Sequence, residues 1–494
     1  MGQATRKLRT EVTESERIAA LKPNSNEWKR VSVKYRPKFE RLLKIWENAN
    51  ESQSITIING NRVCFDKEFL IGGGSYGTEV YIGLGSDGIE RAIKRLPKRL
   101  CDHLGKNERD ILNSRNATES PRIVKYWFYD DTSNRDFCYL ILNLYERNLE
   151  DYIREEGDKI TEFSARVMIR QVLEGLRALH AKNPDRILHR DLKPANILVD
   201  VDGNIALSDF GIGLFFREDA NTHKTINQCG TSGWIACECI DWDDLYSNEL
   251  RDPSDAPIQL RWKEESDIQV AGMLGFFILT KGKHPFGPSI HRLEKMYLDN
   301  PICLIELSDP VVKDLLSQML AKDPDKRPRV VQALKHPYFL SLEEQIQFLQ
   351  AVGNDPKIIE DNCAVSKALD NHCQSQLRYP LLPNNWKSVI DPSDLDTLCR
   401  GGRPSKTYVN SQYTHCLRLI RNVLQHPDGK LDQLKKKGQA TSLQEYFLKL
   451  FPKLPLVLYQ FFRRNHELTK RPALKKFFPV MTRAAESDAS MDRS

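Results

Sequence analysis

No apolar run in this 494-residue chain is long enough to cross a bilayer. The longest, around residues 270–280, is about half of the roughly 20 residues that a spanning helix needs. The N-terminus lacks the basic start and apolar stretch of a secretory signal. Met1-Gly2 opens like a myristoylation site, but Arg6 stands where that motif takes Ser or Thr. The 11 cysteines are odd in number and scattered without metal-ligand spacing. Cys237 and Cys239 have no second pair downstream, so reduced thiols are expected rather than zinc or disulfides. These absences argue against a membrane-spanning protein, a secreted disulfide scaffold and a zinc module, and the expected location is cytoplasmic.

What is present is unevenly distributed. The overall net charge is +6. Residues 376–479 hold 19 Lys and Arg against 7 Asp and Glu, while residues 1–375 are net acidic. Such a basic segment is either a solvated face or a surface for a polyanion. Residues 1–62 are polar, with a helix expected near Tyr35–Asn48 and no legible chemistry. From Arg62 to about Leu142 the pattern favours strands, as in "IERAIKRL" and "FCYLILNLY". From Leu149 helical spacing takes over, as in "FSARVMIRQVLEGLRALH". No Gly/Ser- or Pro-rich tether comes after "SLEEQIQFLQAV", so no flexible linker is expected there. The final small, polar residues 480–494 read as disordered.

Gly72-Gly73-Gly74-Ser75-Tyr76-Gly77 lies after one expected strand and precedes Val80 in another. Alone this glycine pattern is weak evidence for a phosphate cradle. It gains meaning from an ordered set of motifs downstream: Ala92-Ile93-Lys94, then Glu108 on an expected helix, then His189-Arg190-Asp191-Leu192-Lys193-Pro194-Ala195-Asn196, then Asp209-Phe210-Gly211. Asp267, Gly272 and Arg327 come after them. The set resembles the protein kinase family over roughly residues 63–342. The resemblance implies that Gly72, Gly74, Gly77 and Val80 cover ATP and that Lys94, paired with Glu108, holds its α- and β-phosphates. It also implies nucleotide contacts at Asn143 and Tyr145. Asp191 would accept the proton of the attacking hydroxyl, Lys193 would neutralise the γ-phosphate, and Asn196 and Asp209 would hold Mg²⁺. One departure is Ala236-Cys237-Glu238, where the family has Pro in the middle. Phosphorylation of Thr222 or Thr225 in the activation segment would place a charge able to pair with Arg190.

Behind this region, Tyr413, Cys416, Leu417, Ile420 and Leu424 recur at three- and four-residue spacing as the apolar stripe of a helix. Asn422 and His426 fall four apart on another face, and Pro427 places His426 at the helix end. A histidine so placed is more often a surface cap than a catalyst. Tyr408, Arg421-Asn422 and His426, with "LPNNWKSVI" before them and "EYFLKLFPKLPLVLYQFFRR" after, resemble the nuclease part of the inositol-requiring kinase/endoribonucleases of the unfolded protein response. Ribonuclease L is a more distant likeness. The kinase part agrees, in "GTEVY", "GTSGWIA" and "LKHPYFLSLEEQIQFLQ".

The resemblance implies metal-independent cleavage of RNA stem-loops, with a 2′,3′-cyclic phosphate as product, and nucleotide-favoured homodimers. His426 would act as general acid, Tyr408 would assist the 2′-hydroxyl, and Arg421 and Asn422 would stabilise the phosphate. The sensor domains that precede the kinase in these families are not seen in this sequence. The fold class expected is therefore α+β: a two-lobed kinase over 63–342, then a small all-α nuclease domain over 343–479. Two other readings stay open: a soluble Ser/Thr kinase whose basic domain only binds RNA or partners, and a nucleotide-sensing scaffold.

Overall fold

The computed structural model describes residues 28–48, 52–74, 77–216, 223–225, 230–240, 242, 260–299, 301–360, 363–375, 381–400, 407–427, 429–436 and 441–479. Thr222 and the tail expected to be disordered lie outside them. The chain forms two compact units, residues 1–304 with 319–327 and residues 305–318 with 328–494.

The first unit begins with helix α1 (Arg36–Glu47). Phe39, Leu42 and Ile45 repeat every three residues, which puts all three on one face of the helix. That face closes on a seven-stranded antiparallel sheet. Its strands are β1 (Ile55–Ile58), β2 (Asn61–Cys64), β3 (Leu70–Gly73), β4 (Glu79–Gly85), β5 (Glu90–Pro97), β6 (Tyr126–Asp130) and β7 (Phe137–Asn143). They run in the order β1-β2-β4-β5-β7-β6, with β3 on β4. The expected boundary at residue 62 thus falls inside β2. The stretch from Trp28 onward belongs to this layer, because Trp28, Tyr35, Phe39, Leu42 and Ile45 are buried against it.

Strand alternation divides β5 between two tasks. Ile93 faces the α1 core, while Ala92, Lys94 and Leu96 line a cavity on the opposite side. Helix α2 (Lys106–Leu112) carries Glu108 to that cavity. Beyond β7 the unit is mainly helical: α3 (Leu149–Glu156), α4 (Glu162–Leu179) and α5 (Glu264–Leu279). Residues 266–278 of α5 are all buried. The apolar run near residue 270 is therefore a core helix hemmed in on every side. Among the described residues no helix is long and apolar enough to cross a membrane.

The expectation of reduced thiols throughout needs correction. Cys101 and Cys138 form a disulfide, although 37 residues separate them. Antiparallel pairing carries Cys138, near the start of β7, beside the turn that leads into α2; two lone cysteines give no sign of this in the sequence.

Every regular element in the described part of the second unit is helical. Its main helices are α6 (Leu342–Gly353), α7 (Ala364–Gln374), α8 (Pro392–Cys399), α9 (Tyr413–Gln425), α10 (Leu443–Leu450) and α11 (Leu454–Arg463). Phe348, Trp386, Tyr413, Phe447 and Phe462 fill its core. The expected domain boundary at residue 342 lies within this unit, which also includes residues 305–318. Asp314 explains the inclusion: it meets His336 Nε2 at 3.1 Å and accepts from Gln460 Nε2 at 2.7 Å.

Helices α6 and α9 meet at Gly353. A Cβ there would sit 2.9 Å from the carbonyl oxygen of Leu417, a backbone atom that cannot move aside without shifting α9. Gly353→Val is expected to destabilise this unit by about 1–3 kcal/mol through overpacking. Urea unfolding monitored by tryptophan fluorescence measures the loss; an unchanged midpoint would contradict this packing.

Candidate functional site

A cavity of about 550 Å³ opens in the first unit, a volume suited to a nucleotide-sized ligand. Gly72, Gly74 and Val80 line it, as do Lys94, Glu108, Asn143, Tyr145, Asp191, Lys193, Asn196 and Asp209. Gly77 is not among the lining residues. It adopts φ +81° at the turn between β3 and β4, where a side chain would be strained.

Lys94 Nζ stands 2.6 Å from Glu108 Oε2 and 2.9 Å from Asp209 Oδ1. Burial alone would lower its pKa, but Asp209 and Glu108 outweigh burial and raise it. Burial would raise Asp209, and the Lys94 charge instead holds its carboxyl below the usual range. Both groups are therefore charged. Asn107, the neighbour of Glu108, donates its amide to the carbonyls of Phe210, Gly211 and Gly213 at 2.9–3.1 Å. This ties α2 to the loop that carries Asp209. No motif in the sequence pointed to Asn107.

A second cluster surrounds Asp191. Its Oδ2 accepts from Lys193 Nζ at 2.8 Å and from Asn196 Nδ2 at 2.9 Å. Its Oδ1 accepts from Thr231 Oγ1 at 2.7 Å, and Thr231 in turn accepts from Lys193 at 2.7 Å. Thr231 reads in the sequence only as one of several activation-segment hydroxyls. Backbone strain helps to set this geometry: Arg190 has φ +68° and Asp209 φ +65°, both in the left-handed region. Buried Asp267 holds the first of these, accepting from the N–H groups of His189 and Arg190 at 3.0 and 3.1 Å and meeting His180 Nε2 at 2.9 Å.

The remaining expected residues divide. Asn143 accepts from Trp127 Nε1 at 2.6 Å through its side chain, and its N–H donates to Lys125 O at 2.9 Å. Thr225 sits in a short strand opposite Leu260. Cys237, in place of Pro, has an N–H, which donates to Gln269 Oε1 at 2.8 Å. Its thiol is buried and pushed up to about 11, so it is an inert packing group. Glu238 forms two 2.8 Å contacts with Arg327, and Ser266 donates to it at 2.6 Å.

In the second unit, Tyr408, Asn422 and Arg421 form one chain of hydrogen bonds. Asn422 Nδ2 donates to Tyr408 Oη at 3.1 Å, and Arg421 Nη2 donates to Asn422 Oδ1 at 2.7 Å. His426 ends α9, its N–H bonded to the Asn422 carbonyl at 3.0 Å. Its side chain is exposed, and its ring makes no hydrogen bond among the described residues. The buried Lys430 ammonium contacts the His426 carbonyl. Trp386 and His415 secure the Tyr408 loop: Trp386 Nε1 donates to Val409 O at 2.9 Å, and Val409 N–H donates to His415 Nδ1 at 2.8 Å. Asp370 caps α9 by accepting from Thr414 N–H at 2.8 Å and Thr414 Oγ1 at 2.9 Å. Of these supporting residues, only Trp386 lies in a stretch that the sequence singled out.

A protein kinase domain model matches residues 65–339, more than half of the chain. The chain belongs to the protein kinase family. A ribonuclease 2-5A model matches residues 345–478 of this kinase-family chain. The human serine/threonine-protein kinase/endoribonuclease IRE2 is 28% identical over 422 residues, which are 82% of this chain and 42% of the human protein. The Schizosaccharomyces pombe sensor for unfolded proteins in the ER, ire1, is 28% identical over 421 residues, 79% of this chain and 37% of that protein. The Oryza sativa kinase/endoribonuclease IRE1 is 29% identical over 446 residues, 83% of this chain and 45% of its own. The chain thus spans less than half the length of these curated relatives.

Arg327→Ala would strip the partially buried Glu238 of its partner. The loss is expected to be about 3–5 kcal/mol, read as a lower unfolding midpoint in differential scanning calorimetry. A midpoint within a degree of the parent's would show that the pair is not structural.

Proposed function

We propose that this protein is a Ser/Thr kinase that phosphorylates its own chain, and a metal-independent endoribonuclease that cleaves RNA stem-loops. The observation that carries the reading is the presence, in one chain, of the Lys94–Glu108–Asp209 cluster and of the Tyr408–Asn422–Arg421 relay one helical turn from His426.

In phosphotransfer, Asp191 accepts the proton of the attacking hydroxyl, and Lys193 and Lys94 offset phosphate charge. Thr231 holds Asp191 and Lys193 in register. The residues fit a divalent cation. Asp209 commits Oδ1 to Lys94 and leaves Oδ2 available. Asn196 uses its amide N–H to bind Asp191 and leaves its carbonyl oxygen available. Asp209 and Asn196 would hold Mg²⁺, whose charge would offset that of the ATP phosphates.

In RNA cleavage, the 2′-oxygen bonds to phosphorus as the bond to the 5′-oxygen breaks. Tyr408 assists removal of the 2′-hydroxyl proton, and His426 supplies a proton to the leaving oxygen. Arg421 and Asn422 meet the charge that grows on phosphorus, in hydrogen bonds already oriented before the reaction. The basic composition of residues 376–479 suits an RNA ligand. The name of the Schizosaccharomyces pombe relative, a sensor for unfolded proteins in the ER, supports a setting akin to the unfolded protein response; mRNA splicing as the output and a homodimer as the acting form belong to the proposal. Nucleotide binding would favour that dimer by linkage. The proposed location is the cytoplasm, although the Cys101–Cys138 disulfide argues for a more oxidising setting.

The two activities should separate by mutation. His426→Ala is expected to lower cleavage of a 5′-labelled RNA stem-loop in EDTA by at least about 100-fold, the usual scale for a lost general acid, and to leave autophosphorylation intact. Asp191→Ala should abolish autophosphorylation in Mg²⁺ and ATP. Cleavage that persists in His426→Ala, or products without cyclic-phosphate ends, would defeat the nuclease reading.

A further inference from the structure

Residues 28–35 lie outside the region that the kinase model matches, yet the last of them, Tyr35, lines the nucleotide cavity. Two carboxylates hold them down. Trp28 Nε1 donates to Glu90 Oε1 at 2.8 Å, and Ser32 N–H donates to Glu90 Oε2 at 2.6 Å. Val33 and Lys34 N–H donate to the two oxygens of Glu146 at 3.1 and 2.7 Å. Glu146 comes directly after Tyr145 and is itself fixed, its N–H donating to Val199 O at 3.0 Å. The segment is thus pinned at the start of β5 and at the connection beyond β7.

These anchors position Tyr35. Its N–H donates to Ser32 Oγ at 2.9 Å, and its side chain is 7% exposed. It lines the cavity together with Arg147, Asn148 and Asp151. Its hydroxyl makes no hydrogen bond among the described residues. Burial first, then Glu146, Asp151 and Glu155, push the phenol up to about 12, so it keeps its proton and can donate.

On the kinase reading, Lys94 and Gly72–Gly74 take the phosphates and residues 143–145 take the base, and all of them line this cavity. A sugar must bridge the two. Arg147, Asn148 and Asp151, next along the chain from residues 143–145, line the cavity too, and Arg147 and Asp151 lie close enough to Tyr35 to act on its phenol. We infer that Tyr35 is a nucleotide-binding residue whose hydroxyl hydrogen-bonds a ribose hydroxyl, so that the segment before the kinase domain completes its sugar site. The inference rests on the kinase reading of this cavity.

The test is titration calorimetry on the full chain with Mg²⁺ and ATP, 2′-deoxyATP or 3′-deoxyATP, for the parent and for Tyr35→Phe. The parent should bind ATP more tightly than one of the deoxy analogues. Tyr35→Phe should weaken ATP by about 3- to 10-fold, the scale of one hydrogen bond, and leave affinity for that analogue unchanged. The unfolding midpoint without nucleotide, measured alongside, should not move. Equal weakening of ATP and both analogues, or no weakening at all, would overturn the inference. Failure of the parent to bind ATP would overturn the kinase reading itself, and this inference with it.

Discussion

One ammonium group organises the first unit. Lys94 Nζ lies within 3 Å of carboxylates from two other elements, Glu108 on α2 and Asp209 on the loop after the catalytic segment. Burying such a group costs several kcal/mol unless it is fully paired. The buried Lys94 ammonium therefore depends on the helix and the loop arriving with it, while burial pushes the Glu108 carboxyl above its usual range. Asn107 makes the same connection through neutral groups. The cluster also leaves an imbalance: two carboxylates face one ammonium, while Asp191 is matched by Lys193.

The second unit solves a different problem. Its relay of Tyr408, Asn422 and Arg421 is held by a tryptophan, a histidine and a buried helix cap rather than by a buried ion cluster. Asp370 shows how this works. Burial pushes its carboxyl above the usual range, while the Thr414 backbone and hydroxyl pull it back. The cap fixes the start of α9 through two bonds to Thr414.

The kinase machinery was legible because its chemistry is written in local words: Gly72–Gly77, Ala92-Ile93-Lys94, His189–Asn196, Asp209-Phe210-Gly211. Each fixes residue type and spacing together. Cys237 was legible as a departure, but its consequence was not. The structure shows that its N–H, which Pro would lack, bonds to Gln269. What escaped was whatever depends on long-range convergence. Thr231, Asn107 and Asp370 act on partners 40 or more residues away, and nothing in their own neighbourhoods marks them. Cys101 and Cys138 meet only because of strand order. Residues 28–47 had a readable helix in Phe39, Leu42 and Ile45, but the sheet surface it covers is assembled from β1, β2, β4, β5 and β7.

The two candidate sites differ in where they place their proton-transfer groups, and this bears on how each is controlled. Asp191 is 9% exposed and is bonded to three side chains, so its reactivity depends on Lys193, Asn196 and Thr231 staying in place. Movement of the activation segment, to which Thr231 belongs, would release one of those bonds directly. His426 is exposed at a helix end, with only its backbone tied to Asn422 and Lys430. Little within its own unit holds that ring in a reactive orientation. The Asp191 carboxylate is thus held by internal bonds, whereas no side-chain hydrogen bond among the described residues holds the His426 ring.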